Sequence, residues 1–290
     1  MRMQHLHLPF TRGSDALASL LYVLLTLLGT LFSVVYFSLY TFEVINLLYI
    51  LLSILASMAF FFIMFLLFLA IYGRFIRKVD PHNMRNHRII NSILRLAFHL
   101  MNAKLVVTGR EHIPEKGKAF IFVCNHQENY DIMAIKPVLK DHPLNFIAKA
   151  ASFDWFVLGH WIKVLGNVPI VREADRSAAE SIVKGIRLYK EGIPMAIFPE
   201  GKRTFSNQMT DFKPGAFKLA VKPKADILVG TIYNFSKVFQ GWPFKRQKIY
   251  LHFHPLLTYD DYKEMNTITL SNHVKGMMQK QLDAYQATIN

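Results

Sequence analysis

The 290-residue chain has one cysteine, Cys124. A single thiol excludes an internal disulfide framework and any multi-cysteine metal site. Its place inside an apolar run marks it as a core thiol. Acidic residues are also scarce: twenty Asp and Glu stand against thirty-four Lys and Arg. Charge of either sign is missing from two long stretches, 16–42 and 44–73, which only Glu43 separates. No finger, helix-turn-helix or RNA-recognition signature accompanies the basic balance, so nucleic acid is not the expected partner. The twelve histidines form no metal-ligand spacing. His252 and His254 fall on one strand face, without a third ligand beside them in sequence.

The net charge is +14, and hydrophobic residues make up 52% of the chain. Both are unevenly placed. Residues 1–73 hold Arg2, Arg12, Asp15 and Glu43, which cancel, so the whole excess of positive charge lies in 74–290. A basic domain joined to an apolar segment suits an anionic membrane surface, or an anionic substrate or carrier.

As one helix the uncharged stretches would measure about 85 Å, against a hydrocarbon core of ~30 Å. Two helices, about 16–42 and 44–73, with a reversal near 40–46, fit better. Arg2 and Arg12 precede the first, Arg74, Arg77, Lys78, Arg85 and Arg88 follow the second, and the reversal has no Lys or Arg. The positive-inside rule then puts both termini, and the domain that follows, on the cytoplasmic face of the cell membrane. Spanning is the expectation; a hairpin dipping into one leaflet is the alternative. The stretch is too long for a secretory signal and lacks a small-x-small cleavage site.

Residues 74–103 read as a basic amphipathic linker helix, with Ile89, Ile90, Ile93, Leu94 and Ala97 at helical spacing and Arg85, Arg88 and Arg95 between them. From 104 to 290 short apolar runs alternate with helical patterns. Strands are expected at 105–107, 119–123, 145–148, 168–171, 195–198, 227–231 and 248–253. Helices are expected at 131–140, 153–165 and 175–191, and at the C-terminus. This alternation predicts an α/β domain with a mostly parallel sheet flanked by helices.

Polar residues recur at the carboxyl ends of the predicted strands, where open α/β sheets bind ligands. The first strand of this kind runs into Cys124-Asn125-His126-Gln127-Glu128-Asn129-Tyr130-Asp131. A turn there brings imidazole and carboxylate together; the carboxylate fixes the ring tautomer and the other nitrogen can take a hydroxyl proton. Alone the pair says little, since twelve His and eleven Asp give about half such a pair by chance. Lys149, Arg172 and Glu200-Gly201-Lys202-Arg203 follow at later strand ends. Arginine matches phosphate with a two-pronged hydrogen bond, lysine adds a point charge, and glycine lets backbone N–H groups approach an anion.

Asn125-His126-x-x-x-x-Asp131 resembles the first motif of the glycerolipid acyltransferases, specifically the 1-acyl-sn-glycerol-3-phosphate acyltransferases. Gly166-Asn167-Val168-Pro169-Ile170-Val171-Arg172 is similar to the second motif, and Phe198-Pro199-Glu200-Gly201-Lys202-Arg203-Thr204 to the third. Phe212-Lys213-Pro214-Gly215-Ala216 resembles the segment that follows it. The resemblance covers about residues 100–255, in order. Two departures stand out: Ile227–Ile232 lacks the proline often found in the family's fourth motif, and Lys202 replaces a frequent threonine.

The resemblance implies an enzyme that needs no cofactor or metal. It would move a fatty acyl group from acyl-CoA or acyl carrier protein thioester to the sn-2 hydroxyl of lysophosphatidate, giving phosphatidate. It implies His126 as general base and Asp131 as its orienting carboxylate. Arg172, Glu200, Gly201 and Arg203, helped by Lys149 and Lys202, would hold the acceptor. The alternatives are glycerol 3-phosphate or another lysophospholipid as acceptor, or a non-catalytic membrane protein that binds anionic lipid. The Phe153–Trp161 stretch is read as core packing, with contact to acyl chain or membrane interface as the other reading.

Overall fold

A computed structural model describes residues 24–32, 35, 44–76, 78–171, 175–240 and 246–289. It divides into two compact units, one ending at Lys78 and one beginning at Val79.

In the first unit, α1 (Val44–Phe75) is a 32-residue helix. Its segment Leu47–Phe75 is long and apolar enough to cross a membrane, and few of its residues are buried. Residues 24–32 are helical. Gly29 lies against α1, where an added Cβ would sit 3.1 Å from Phe61 and 3.2 Å from Ser57. The ends of the expected 16–42 helix, and most of the expected reversal, lie outside the described residues.

The second unit opens with α2 (Met84–Leu100), whose N-terminus is capped by the Asn83 side chain accepting from Asn86 N–H at 3.3 Å. Residues 76 and 78–83 before it, with Pro81, are not helical. The buried side of α2 is rich in polar groups: Asn86, His87, Asn91 and Ser92 join Ile90 and Phe98. One of these groups, His87, meets a lysine. Lys136 Nζ donates to His87 Nδ1 at 2.9 Å and to the Leu144 carbonyl at 2.6 Å, and is buried.

Seven strands follow: β1 (Ala103–Thr108), β2 (Ile121–Cys124), β3 (Asn145–Lys149), β4 (Val168–Ile170), β5 (Met195–Ile197), β6 (Ile227–Tyr233) and β7 (Gln247–Phe253). Their order in the sheet is β1-β7-β6-β2-β5-β3-β4. Every pairing is parallel except β6 with β7. Helices α3 (Asp131–Ile135), α4 (Leu158–Val164) and α5 (Asp175–Lys190) connect the parallel strands, and α6 (Lys218–Val221) precedes β6. Short helices α7 (Lys237–Gln240) and α8 (Tyr259–Tyr262) flank β7, and α9 (Thr267–Ile289) closes the chain. The α/β class and the mostly parallel sheet agree with the sequence reading.

Strand β2 shows why the sheet is covered on both faces. All four of its residues are buried and none is charged. Phe122 joins a core with Phe120, Leu228 and Phe253 on one face; Ile121 and Val123 join Ile147, Ile197 and Val229 on the other. This is the two-faced hydrophobic run of a central parallel strand.

Two helices are shorter than expected. The 131–140 helix ends at Ile135, because Pro137 has no N–H to continue it. In place of one helix over 153–165 there is a 3-10 turn, Ala150–Asp154, and then α4. Gly159 packs against the Phe153 carbonyl there; a Cβ would sit 2.3 Å from that oxygen.

Candidate active site

The carboxyl ends of β2, β3 and β5 lie on one edge of the sheet, because these strands run parallel. The first turn beyond β2 carries His126. Its Nδ1 donates to Asp131 Oδ2 at 2.8 Å. The backbone N–H groups of Gln127 and Glu128 donate to the same oxygen at 2.7 and 3.0 Å. Asp131 is the first residue of α3, fully buried, and His126 is nearly so. Three donors on one carboxylate oxygen hold the ring in the tautomer with its proton on Nδ1, and leave the Nε2 lone pair facing away from the carboxylate. The ring stacks on Phe198, with centroids 4.2 Å apart and 13° between planes. Burial pushes the Asp131 carboxyl up, while the hydrogen bond and charge of His126 and the two N–H groups pull it down.

Glu200 is a brace for this turn. Its Oε1 accepts from His126 N at 2.8 Å. Its Oε2 accepts from Thr210 N at 2.7 Å and Thr210 Oγ1 at 3.0 Å. Thr204 N donates to the His126 carbonyl at 3.0 Å, and Phe205 N to the Gln127 carbonyl at 3.1 Å. The loop after β5 therefore grips His126 by both backbone polar groups. Burial raises the Glu200 carboxyl above its ordinary range, against the pull of those N–H donors. With both oxygens engaged, and carrying the same sign as phosphate, Glu200 is placed to hold the histidine turn.

Three amide side chains to which the sequence reading gave no role complete the frame. Asn125 Nδ2 donates to the Ile232 carbonyl at 2.9 Å and its Oδ1 accepts from Ile232 N at 2.7 Å. Gln127, fully buried, donates to Asn207 Oδ1 at 2.9 Å and to the Ile232 carbonyl at 3.1 Å, and accepts from Phe235 N at 2.8 Å. Asn207 Oδ1 also accepts from Asn234 N, at 2.7 Å. These bonds tie the β2 turn, the post-β5 loop and the end of β6 together. The residue types of these amides alone carry no distance information. In the second motif Asn167 is structural: its Oδ1 accepts from Phe146 N at 2.7 Å and its Nδ2 donates to the Ile162 carbonyl at 2.9 Å.

The cations are placed as follows. Arg203 is half-buried in the post-β5 loop, with its guanidinium over the Phe205 ring at 5.1 Å. Its charge also reaches Glu128, whose carboxyl is raised by burial and by Asp131. Lys202 is exposed on the same loop, and Lys149 is exposed at the end of β3. Gly201 has φ +68°, which favours glycine, and the Lys213 side chain lies over it. Arg172 lies outside the described residues. His252 and His254 are engaged with threonines, at 2.8 Å each to Thr108 and Thr231. Among the described residues no group of His, Cys, Asp or Glu is set to hold a metal ion.

Beside the site runs an apolar groove of about 690 Å³. Ile147, Ile170, Ile182, Val183 and Ile197 line it, and it reaches Phe198, Pro199 and Gly201 of the post-β5 loop. Phe198 thus stacks on His126 and also walls the groove.

The acyltransferase family model matches residues 104–233, which contain the whole histidine turn and the loop that grips it. The chain is 29% identical over 201 residues to the 1-acyl-sn-glycerol-3-phosphate acyltransferase of Borreliella burgdorferi, covering 67% of this chain and 78% of that protein. It is 28% identical over 175 residues to the chloroplastic 1-acyl-sn-glycerol-3-phosphate acyltransferase LPAT1 of Arabidopsis thaliana. That match covers 60% of this chain and 49% of the relative, so the chain spans about half of the plant protein. The crystal structure of the 1-acyl-sn-glycerophosphate (LPA) acyltransferase PlsC from Thermotoga maritima shares the fold, with a TM-score of 0.62 and 24% identity over 76% of this chain and 90% of that one. The family model over residues 104–233 and the relatives agree with the motif reading: the chain carries a segment that matches the acyltransferase family model and is similar to 1-acyl-sn-glycerol-3-phosphate acyltransferases.

Proposed function

We propose that the chain transfers a fatty acyl group from a thioester, on coenzyme A or acyl carrier protein, to the sn-2 hydroxyl of lysophosphatidate. The observation that carries this reading is the His126–Asp131 pair, joined through Nδ1 at 2.8 Å. It leaves Nε2 for a substrate. The acceptor hydroxyl hydrogen-bonds to Nε2 and gives up its proton as its oxygen attacks the thioester carbonyl. The carbon–sulfur bond breaks, and the departing sulfur takes the proton back from the imidazolium. Asp131 stabilises that imidazolium, and the acceptor alcohol replaces the serine of a hydrolase, so no acyl-enzyme forms. General-base help of this kind is worth roughly 10²–10⁴ in rate, and positioning adds to it.

Arg203 and Arg172 hold the acceptor phosphate, with Lys149 and Lys202 as outer charges and the Gly201 backbone open to the anion. Glu200 serves the acceptor indirectly, by fixing the loop that carries Arg203 to the turn that carries His126. The acyl chain lies in the groove that ends at Phe198 and Gly201. Residues 1–73 anchor the chain in the membrane as two helices, 74–103 link the anchor to the site, and 104–290 form the catalytic domain on the cytoplasmic face. Donor carrier and acceptor are read together in one assay. The purified full-length chain is given lysophosphatidate, glycerol 3-phosphate and a second lysophospholipid, each with both thioester types. Transfer to lysophosphatidate, lost in a folded His126→Ala variant, is expected; unchanged turnover in that variant overturns the mechanism. Binding of phosphatidate vesicles without transfer from either donor overturns the enzymatic reading.

A further inference from the structure

The turn after β3 has two kinds of hydrophobic residue. Phe153, Val157 and Trp161 are buried and fasten it to the domain. Between them Trp155, Phe156 and Leu158 point outward, with 48%, 89% and 43% of their surface exposed. The exposure is built in. Gly159 N donates to the Trp155 carbonyl at 2.9 Å, and the close approach of Gly159 to the Phe153 carbonyl fixes the turn. Val171, directly after β4, is also exposed. Since β3 and β4 run parallel, the turn leaves β3, and Val171 leaves β4, at the same sheet edge as His126. Exposed lysines flank the turn: Lys149 before it and Lys163 after it, the latter 4.0 Å from Asp154 Oδ1.

We propose that this Trp155–Phe156–Leu158 tip is a membrane-contact site of the α/β domain itself, separate from the N-terminal helices, and that it inserts into the headgroup region of an anionic leaflet. Aromatic side chains with one apolar body and a polar rim favour that depth. Lysines beside them gain from the negative surface potential. A second copy of the chain is the other occupant, and the test below separates the two. Insertion would hold the edge bearing His126 at the depth of a lipid's glycerol. That consequence rests on the proposed acyl transfer, while the contact itself does not.

The test uses the full-length chain in nanodiscs of phosphatidylcholine and phosphatidylglycerol, with acyl chains brominated or not. Bromine quenching of tryptophan fluorescence is expected in the wild type and is expected to drop in Trp155→Phe, the other two tryptophans being retained. A nitroxide on Phe156→Cys supplies a second reading, since the native Cys124 is fully buried and escapes the label. It should be more accessible to dissolved oxygen than to a water-soluble nickel complex, while one on the exposed Glu180→Cys should show the reverse. Equal quenching in wild type and Trp155→Phe, with an aqueous label at 156, overturns the proposal. So does a label shielded from both agents with spin coupling that grows with protein per disc, which would mark a protein partner. Neither readout uses turnover, so loss of the acyl-transfer mechanism shows separately, in His126→Ala.

Discussion

Asp131→Asn separates what the carboxylate does by its shape from what it does by its charge. Three donors, His126 Nδ1 and the backbone N–H groups of Gln127 and Glu128, converge on Oδ2. The other oxygen, Oδ1, is buried and has no hydrogen-bond partner. An asparagine in this place must turn its carbonyl to the three donors, because its NH₂ would face N–H groups that cannot rotate away. The histidine tautomer is then kept, unlike the serine-protease case, in which the matching substitution costs ~10⁴ by reversing it. What is lost is the charge. Unit charges about 4 Å apart interact by about 4 kcal/mol at an effective dielectric of 20, or ~10³ in rate; the amide dipole returns part of this. The expected fall in kcat is therefore about 10²–10³. The new NH₂ group, buried without a partner, costs about 1–3 kcal/mol of stability. Steady-state kinetics with lysophosphatidate, beside thermal unfolding, measure both. A kcat within threefold of wild type would refute charge stabilisation; a loss as deep as that of His126→Ala, with the fold intact, would refute the argument that the tautomer survives.

Glu200→Gln keeps one acceptor oxygen but leaves an NH₂ facing either His126 N–H or the Thr210 donors. A loss of about 2–4 kcal/mol in stability is expected, with kcat falling and KM for the acceptor nearly unchanged; a raised KM at unchanged stability would instead make Glu200 an acceptor ligand. Gly166→Ala places a Cβ 2.5 Å from Pro81 Cγ at φ +85°, so strain and overpacking of about 2–4 kcal/mol are expected from unfolding curves. Burial lowers Lys136 to about 7. The unfolded chain then holds the proton to a higher pH than the folded one, so stability should rise between about pH 7 and the ordinary lysine range. Below about 7 both states are charged and the full burial cost is present. Unfolding of wild type and Lys136→Met across pH 6.5–9.5, a range chosen to straddle about 7, should show this rise in the wild type alone. The same slope in Lys136→Met would assign it to another group.

By itself the sequence determined the class of the domain, the membrane-length apolar stretch and the positions of the three motifs. These depend on periodicity and local spacing: uncharged β2 reads as a doubly covered strand because it is one, and a histidine five residues before an aspartate needs only one turn to meet it. It also marked Pro137 and Gly159 as residues, but not their effects, which shortened one helix and split another. The strand order was not legible, since a parallel strand says nothing of which neighbour it will find. Nor was the role of Glu200, whose two oxygens serve backbone groups 74 and 10 residues away in the chain. Gln127 is a similar case, with partners at Asn207, Ile232 and Phe235. The Phe153–Trp161 stretch divides most plainly: composition made every aromatic in it equally suited to a core. Only packing against the end of β3 decided that Phe153 and Trp161 go inside while Trp155 and Phe156 face out, because burial is settled by which elements meet and not by the residue's own hydrophobicity.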